Sequence, residues 1–200
     1  GLQYSDRLDI MGTGTLNIDE SRQLQLITQY YKSQGDDDYG LNLGKGFSAI
    51  RGTSTPFVSN GLNSDRIPGT ERHLISLQYS DSAFLGQELV GQVYYRDESL
   101  RFYPFPTVNA NKQVTAFSSS QQDTDQYGMK LTLNSKPMDG WQITWGLDAD
   151  HERFTSNQMF FDLAQASASG GLNNKKIYTT GRYPSYDITN LAAFLQSGYD

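Results

Sequence analysis

The sequence of 200 residues contains no cysteine and no long hydrophobic run. The absence of cysteine is compatible with a secreted or envelope protein that uses no disulfides, but it does not require one. A membrane-spanning helix needs about 20 consecutive apolar residues, and no segment approaches that length. Helical spanning is therefore excluded, and a chain embedded in a membrane would have to form a β-barrel.

Basic character is also lacking. The formal net charge is −6, and no stripe of lysine and arginine is visible. A nucleic-acid-binding protein normally presents a basic surface, so the sequence predicts no nucleic-acid partner. Hydrophobic residues make up only 36%, yet there are 13 Tyr, 10 Phe, 2 Trp and 19 Gly. A polar but aromatic-rich composition is typical of a barrel wall with large hydrated loops.

Residues 126–154 show the clearest pattern, an alternation of apolar and polar residues that predicts a β-hairpin. A polar turn at residues 135–140 separates its two arms. Alternation alone leaves two interpretations open: a soluble β-sandwich or adhesin-like binding module, in which the apolar face forms a core, and an outer-membrane barrel, in which it contacts lipid. The residues assigned to the apolar face are Tyr127, Met129, Leu131, Leu133, Trp141, Ile143, Trp145, Leu147 and Ala149.

The connections between predicted strands alternate in length, as they do when short turns lie at the periplasmic rim and long loops at the cell surface. Short turns are predicted at residues 19–21, 81–86 and 135–140, and long segments at 33–68, 98–125 and 155–186. A final arm begins near Ile188, and its facing is ambiguous. Because the sequence starts without Met and stops inside this arm, we interpret it as an internal fragment.

Aromatic residues on the apolar face favour the barrel. Tyr30, Tyr95 and Tyr127 fall near the predicted outer strand ends, and Tyr79 and Trp141 near the inner ends, as in two interfacial girdles. Seven predicted strands are too few to form a closed barrel that accommodates such long loops. We therefore predict an all-β fold in which residues 1–200 are part of the barrel domain, one segment of a large antiparallel transmembrane β-barrel.

Besides the strand and loop pattern, four segments carry a resemblance: Trp141 to Glu152, Ser169-Gly170-Gly171-Leu172, Gly181-Arg182-Tyr183-Pro184 and Ala193-Phe194-Leu195-Gln196. With this pattern and these segments the sequence resembles the TonB-dependent outer-membrane siderophore receptors. The resemblance implies an outer-membrane receptor, not an enzyme, that binds a ferric siderophore at the cell surface for TonB-energised uptake. It also implies contacts with TonB through a plug, with outer-membrane lipid, and with bacteriocins or phage at the outer loops. No cofactor is expected, since the iron arrives chelated.

The ligand implied by the resemblance, an anionic hydroxamate–citrate chelate of iron, would need arginine and aromatic groups at the outer mouth. The alternative for Arg96 and Arg101 is that they only pair with Asp97, Glu98 or another lumen carboxylate. The predicted ligand-binding residues are Tyr94, Arg96, Arg101, Phe102 and Tyr103, with Arg72 and Arg153 as weaker candidates.

No catalytic or metal site is predicted. Asp148, Asp150 and Glu152 fall on one face of a strand, where they could hold a cation but more often form a solvated wall or pair with arginines. His73 and His151 fall on the presumed lipid face, without a cysteine or a paired histidine to complete a metal site. His151 and Asp150 are strand neighbours that point to opposite sides, which rules out a Ser-His-Asp arrangement.

Overall fold

The computed structural model describes residues 5–35, 69–102, 105–111, 114–168 and 175–199. Nearly all of them lie in β-strands. The elements are β1 (Ser5–Asn17), β2 (Arg22–Gly35), β3 (Gly69–Phe84), β4 (Gln87–Arg101), β5 (Phe105–Val108), β6 (Val114–Ser135), β7 (Trp141–Phe161), α1 (Leu163–Ala168), β8 (Lys176–Gly181) and β9 (Tyr186–Tyr199).

All the strands belong to one sheet, ordered β1-β2-β3-β4-β6-β7-β8, in which β5 also pairs with β6, and β9 with β7. Every pairing is antiparallel. Within the described residues the sheet is open, since β1 does not pair with β8 or β9. The predicted fold class is confirmed: the chain is an antiparallel all-β segment of the kind that forms part of a larger barrel wall. No helix among these residues is long and apolar enough to cross a membrane.

The strand registers bring the apolar positions of every long strand onto one face. One row of cross-strand partners runs through six strands in the order Leu26, Leu77, Val93, Met129, Ala149 and Leu191. We call this the apolar face, and the opposite side, which carries Lys130 and Asp148, the polar face. A slip of one residue at any pairing would have mixed the two sets, so the sequence alternation and the registers agree.

Among the residues that the structure describes, no second protein layer covers the apolar face. Val93 is 53% exposed, Met129 50% and Leu147 44%. A soluble sandwich would bury such side chains in its core, and so wide an exposed apolar surface marks contact with lipid or a partner. The lipid-facing interpretation is therefore favoured over the soluble module. The buried hydrophobic residues of the described part are Phe117, Leu133, Met159, Phe161 and Ala166.

The register also fixes the facing of the last strand. Ala193 lies opposite Leu147, which puts Leu191, Ala193 and Leu195 on the apolar face. Phe194 lies opposite Gly146 on the polar face, and a Cβ at position 146 would come within 2.5 Å of its ring. Glycine at this position lets the phenyl ring lie across the neighbouring strand.

Two of the three predicted long connections contain extensions of the neighbouring strands. Within residues 98–125, β4 continues to Arg101, β5 follows, and β6 begins at Val114. Within 155–186, β7 continues to Phe161, followed by α1 and β8. Residues 118–125 in the extension of β6 are polar on both faces, so hydrophobic alternation could not reveal it, although the backbone ladder is intact. Of residues 33–68, the first three end β2, and 36–68 lie outside the described residues.

The strand extensions change the interpretation of the outer aromatic residues. Tyr95 and Tyr127 are direct cross-strand partners, but β4 and β6 run well past them. The 22 residues of β6 would extend about 70 Å, far more than a bilayer requires. Tyr95 and Tyr127 therefore lie at the end of the apolar band and not at the ends of the strands.

Beyond the apolar band, the outer ends of β6 and β7 build a small core of their own. Phe117 and Phe161 are fully buried, with ring centroids 6.0 Å apart, and Met159 and Ala166 of α1 pack with them. Val114 and Leu163 border this cluster. The outer part of the hairpin is thus a packed lobe on the side of the sheet that carries the apolar face.

Candidate functional site

Tyr94 and Arg96 both lie on the polar face of β4. Tyr94 is the cross-strand partner of Gly128, and Arg96 that of Gln126. The polar side chains Lys130 and Asp148 belong to the same face. The register therefore places Tyr94 and Arg96 on the polar face, in agreement with the alternation in the sequence.

Tyr94 is positioned by the absence of a side chain on the next strand. A Cβ at position 128 would lie 2.7 Å from the Tyr94 hydroxyl oxygen and 2.8 Å from the adjoining ring carbon. The tyrosine ring therefore lies flat across Gly128, held against the backbone of β6. A glycine in a strand interior commonly marks such a close approach.

Arg96 differs from the other predicted arginines because it has no carboxylate partner among the residues the structure describes. Arg72 donates to Glu98 at 2.9 Å, Arg153 donates to Asp187 at 2.8 Å, and Arg101 lies 3.7 Å from Glu71. The Nε atom of Arg96, like that of Arg101, is buried and has no hydrogen-bond partner within the described part of the chain. A buried donor without an acceptor costs free energy, so an anion that accepts a hydrogen bond from this guanidinium would bind favourably.

The predicted site residues do not form one cluster. Arg72 shares the polar face with Arg96, since its cross-strand partner is Glu98. Arg153 and Arg101 project from the opposite side of the sheet, on the side that carries the apolar face below them. Tyr103 lies outside the described residues.

The carboxylates of β7 are each engaged by a neighbour. Asp148 is 3.1 Å from the ammonium of Lys130, Asp150 accepts from Asn190 at 3.0 Å, and Glu152 accepts from Tyr186 at 2.8 Å. This arrangement is that of a hydrogen-bonded wall. No grouping of three or more potential metal ligands occurs among the described residues.

The two histidines lie on the apolar face, where the sequence predicted them. His73 is the cross-strand partner of Tyr30, stacks on its ring, and bonds Asp97 at 2.9 Å. His151 is the partner of Tyr127 and contacts Thr189 at 3.0 Å. Both are therefore part of the outer surface of the sheet.

Arg182 is an additional candidate that the sequence analysis did not include. Its guanidinium carbon lies 5.8 Å from the ring centroid of Phe102 and 5.1 Å from that of Tyr183, and its Nη1 donates to the Ser120 hydroxyl. The Arg182-Tyr183 pair inside a predicted loop was a basic–aromatic signal that could have been used. Its proximity to Phe102, 80 residues earlier, could not be read from the sequence.

Arg182 directly follows β8, where the regular pairing with β7 is interrupted before β9 begins. From Gly181 to Tyr186 the chain advances five residues, while the paired strand β7 advances three, from Asn157 to Phe154, which leaves two extra residues. Bulges of this kind redirect side chains and are common next to functional sites.

Comparison with known proteins identifies close relatives. The chain is 99% identical over 200 residues to the ferric aerobactin receptor of Escherichia coli. It resembles a siderophore-receptor segment along its whole length. It is also 38% identical over 197 residues to the rhizobactin receptor of Rhizobium meliloti strain 1021. The resemblance to siderophore receptors inferred from the sequence is therefore confirmed.

The match covers all of this chain but only part of each relative. The chain spans about a quarter of their length, 27% of the ferric aerobactin receptor and 26% of the rhizobactin receptor. No family model matches the chain. No solved structure matches it either.

Proposed function

We propose that this chain is part of the barrel domain of an outer-membrane receptor that binds a ferric siderophore, with ferric aerobactin as the ligand. Its iron is cargo that arrives already chelated, so the chain needs no cofactor. Uptake would be energised by TonB through a plug domain, and the apolar face would contact outer-membrane lipid. Bacteriocins or phage are further proposed partners at the outer loops. The proposed role is binding and transport, not catalysis, and both relatives carry the name of a receptor.

The observation that best supports this proposal is Arg96 on the polar face without a carboxylate partner among the described residues. A ferric hydroxamate–citrate chelate is anionic. Arginine is the side chain best suited to bind a carboxylate through two parallel hydrogen bonds, in bidentate geometry. Tyr94, two residues away on the same face and fixed over Gly128, supplies an aromatic surface beside it.

The other predicted residues have different parts in the proposal. Phe102 extends the aromatic surface toward the outer strand ends, and Tyr103 would follow it. Arg72 has Glu98 as its partner and would contribute mainly to the local charge balance. Arg101 and Arg153 project from the opposite side and would contact the ligand only if it extended around the outer edge of the wall.

The test is equilibrium binding of ferric aerobactin to cells that display a complete receptor carrying this segment. Replacing Arg96 with alanine should weaken binding by about 10- to 100-fold, as expected when a charge-assisted hydrogen bond is lost. The control is Arg22→Gln, because Arg22 is an exposed arginine paired with Asp19 in the first short turn, at the opposite end of the sheet from Arg96.

The proposal is supported if the unsubstituted receptor and the Arg22→Gln variant bind ferric aerobactin with equal affinity and the Arg96→Ala variant binds it more weakly. Absence of ferric aerobactin binding by the unsubstituted receptor would refute the proposed ligand. Equal affinity of the Arg96→Ala variant and the unsubstituted receptor would refute the assignment of Arg96.

A further inference from the structure

Arg182 is held on the polar face by several independent contacts. Its backbone N–H donates to the Ser156 carbonyl at 3.0 Å, while its side chain donates to Ser120. The aromatic rings of Phe102 and Tyr183 flank its guanidinium. An arginine fixed in this way loses little conformational freedom when it binds a ligand.

The surroundings of Arg182 are tied to the rigid β6–β7 ribbon. Phe102 donates its N–H to the Ser120 carbonyl at 2.9 Å and accepts from the Ser119 hydroxyl at 3.0 Å. Ser119 and Ser120 are buried, and Gln158 donates to the neighbouring Ser118 hydroxyl at 2.9 Å. The packed outer lobe lies directly along the same two strands. A binding side chain held by paired strands is positioned more precisely than one on a loop.

The ring surfaces beside Arg182 are accessible. Phe102 is 36% exposed and Tyr183 48%. The hydroxyl of Ser156 is buried nearby and has no hydrogen-bond partner among the described residues. Six residues of β6 separate this level, at Ser120, from the level of Arg96, at Gln126, which is about 20 Å along the strand. Arg182 and Arg96 are therefore separate positions on one face.

We propose that Arg182, Phe102 and Tyr183 form an outer recognition site for a free carboxylate of the ferric chelate. The guanidinium binds the carboxylate, and the two rings cover the apolar part of the ligand. This inference rests on the proposed function, since it assigns another contact to the same ligand. Both side chains reach the polar face by continuing the registers of their strands, since the Phe102 N–H donates to the Ser120 carbonyl and the Arg182 N–H to the Ser156 carbonyl.

The test uses Arg182→Gln, Arg182→Lys and Phe102→Leu in a complete receptor, with ferric aerobactin as the probe. Arg182→Gln should raise Kd by about 10- to 100-fold. Arg182→Lys keeps the charge but loses the planar fork, so its Kd should lie between those of the unsubstituted and Gln receptors. Phe102→Leu should weaken binding less than Arg182→Gln. Arg22→Gln serves again as the arginine control.

Salt dependence separates binding from a structural role. If Arg182 binds a carboxylate, the decrease in affinity with rising salt should be shallower in Arg182→Gln than in the unsubstituted receptor. An unaltered salt slope would indicate a structural role and overturn the inference. Should the Gln variant fail to reach the cell surface, the Lys variant decides: an unchanged Kd would count against the site.

The two proposals fail in different ways. An unchanged Kd for Arg182→Gln, together with weakened binding by Arg96→Ala, would overturn only the Arg182 site. A receptor that does not bind ferric aerobactin in any form would overturn the proposed function itself.

Discussion

The ring of Tyr94 lies across Gly128, so close that a Cβ at position 128 would come 2.7 Å from the tyrosine hydroxyl. The same Cβ would lie 2.8 Å from the carbonyl oxygen of Ala149 on the other neighbouring strand. The absence of a side chain at Gly128 on β6 thus allows the ring of Tyr94 on β4 to occupy this position.

Gly128→Ala should therefore move Tyr94 and destabilise the sheet. Because one of the clashing atoms belongs to the backbone of β7, the strain cannot be relieved by the tyrosine alone, and overpacking of this kind costs about 1–3 kcal/mol. Urea unfolding from lipid vesicles measures the stability, and ferric aerobactin binding measures the effect on the site. The matched control is Gly14→Ala, where a Cβ meets nothing within 4 Å. Equal stability and binding for both variants would contradict the assigned role of Gly128.

The first short turn depends on Asp19. Its carboxylate accepts from the backbone N–H groups of Ser21 at 2.9 Å and Arg22 at 2.8 Å, and from the Arg22 side chain at 2.6 Å. The hydrogen bond from the Arg22 side chain, followed by that from the Ser21 N–H, holds the pKa of Asp19 well below its ordinary range. A carboxyl group whose pKa is lowered by folding stabilises the folded state at neutral pH, and this contribution is lost as the pH falls below the ordinary aspartate pKa toward the folded value.

Asp19→Asn should therefore be less stable than the unsubstituted protein at neutral pH, and the difference should shrink in acid. Asparagine keeps an acceptor for the backbone N–H groups but loses the charge that binds Arg22. Urea unfolding midpoints measured over a pH series give the difference. The control is Glu20→Gln, the neighbouring exposed acid. A stability difference for Asp19→Asn that does not vary with pH would contradict the assigned role of the charge.

The second turn contains a residue in an unfavourable conformation. Leu85 and Gly86 have φ values of 49° and 77°, so both central residues of the two-residue turn are left-handed. Asparagine and glycine adopt this region readily, whereas leucine does so at a cost. Leu85→Asn should stabilise the protein by about 1 kcal/mol, since Leu85 is 83% exposed and its removal loses little burial. Urea unfolding is the measurement, with Met138→Asn in the third turn as control. A Leu85→Asn variant less stable than the parent would contradict this reasoning.

Hydrophobic alternation predicted the central part of the fold and its facing, because inside the apolar band every second residue must be apolar. It could not orient the last strand, since Leu191, Ala193 and Phe194 make both faces partly apolar. The deciding fact is the register with β7, where Gly146 leaves room for Phe194. The outer strand extensions escaped prediction for the related reason that runs such as Ser118-Ser119-Ser120 are polar throughout.

The candidate site was predictable only in part. Tyr94 and Arg96 could be found because they continue an alternation that fixes their face. Arg101 could not be oriented in advance, because beyond the apolar band nothing in the sequence marks which face a residue takes. Arg182 depends on a contact with Phe102, a distant part of the chain, which no local pattern encodes.

The central claim is that the apolar face contacts lipid while the polar face lines the interior. The sequence contains no cysteine, so a single introduced cysteine carries a fluorescent label without ambiguity. Leu147 and Asp148 are strand neighbours and point to opposite faces. In a complete receptor reconstituted in vesicles, a quencher dissolved in the lipid should quench a label at Leu147→Cys and leave one at Asp148→Cys bright. A label at position 147 that the lipid quencher does not reach, or equal quenching at both positions, would contradict the account.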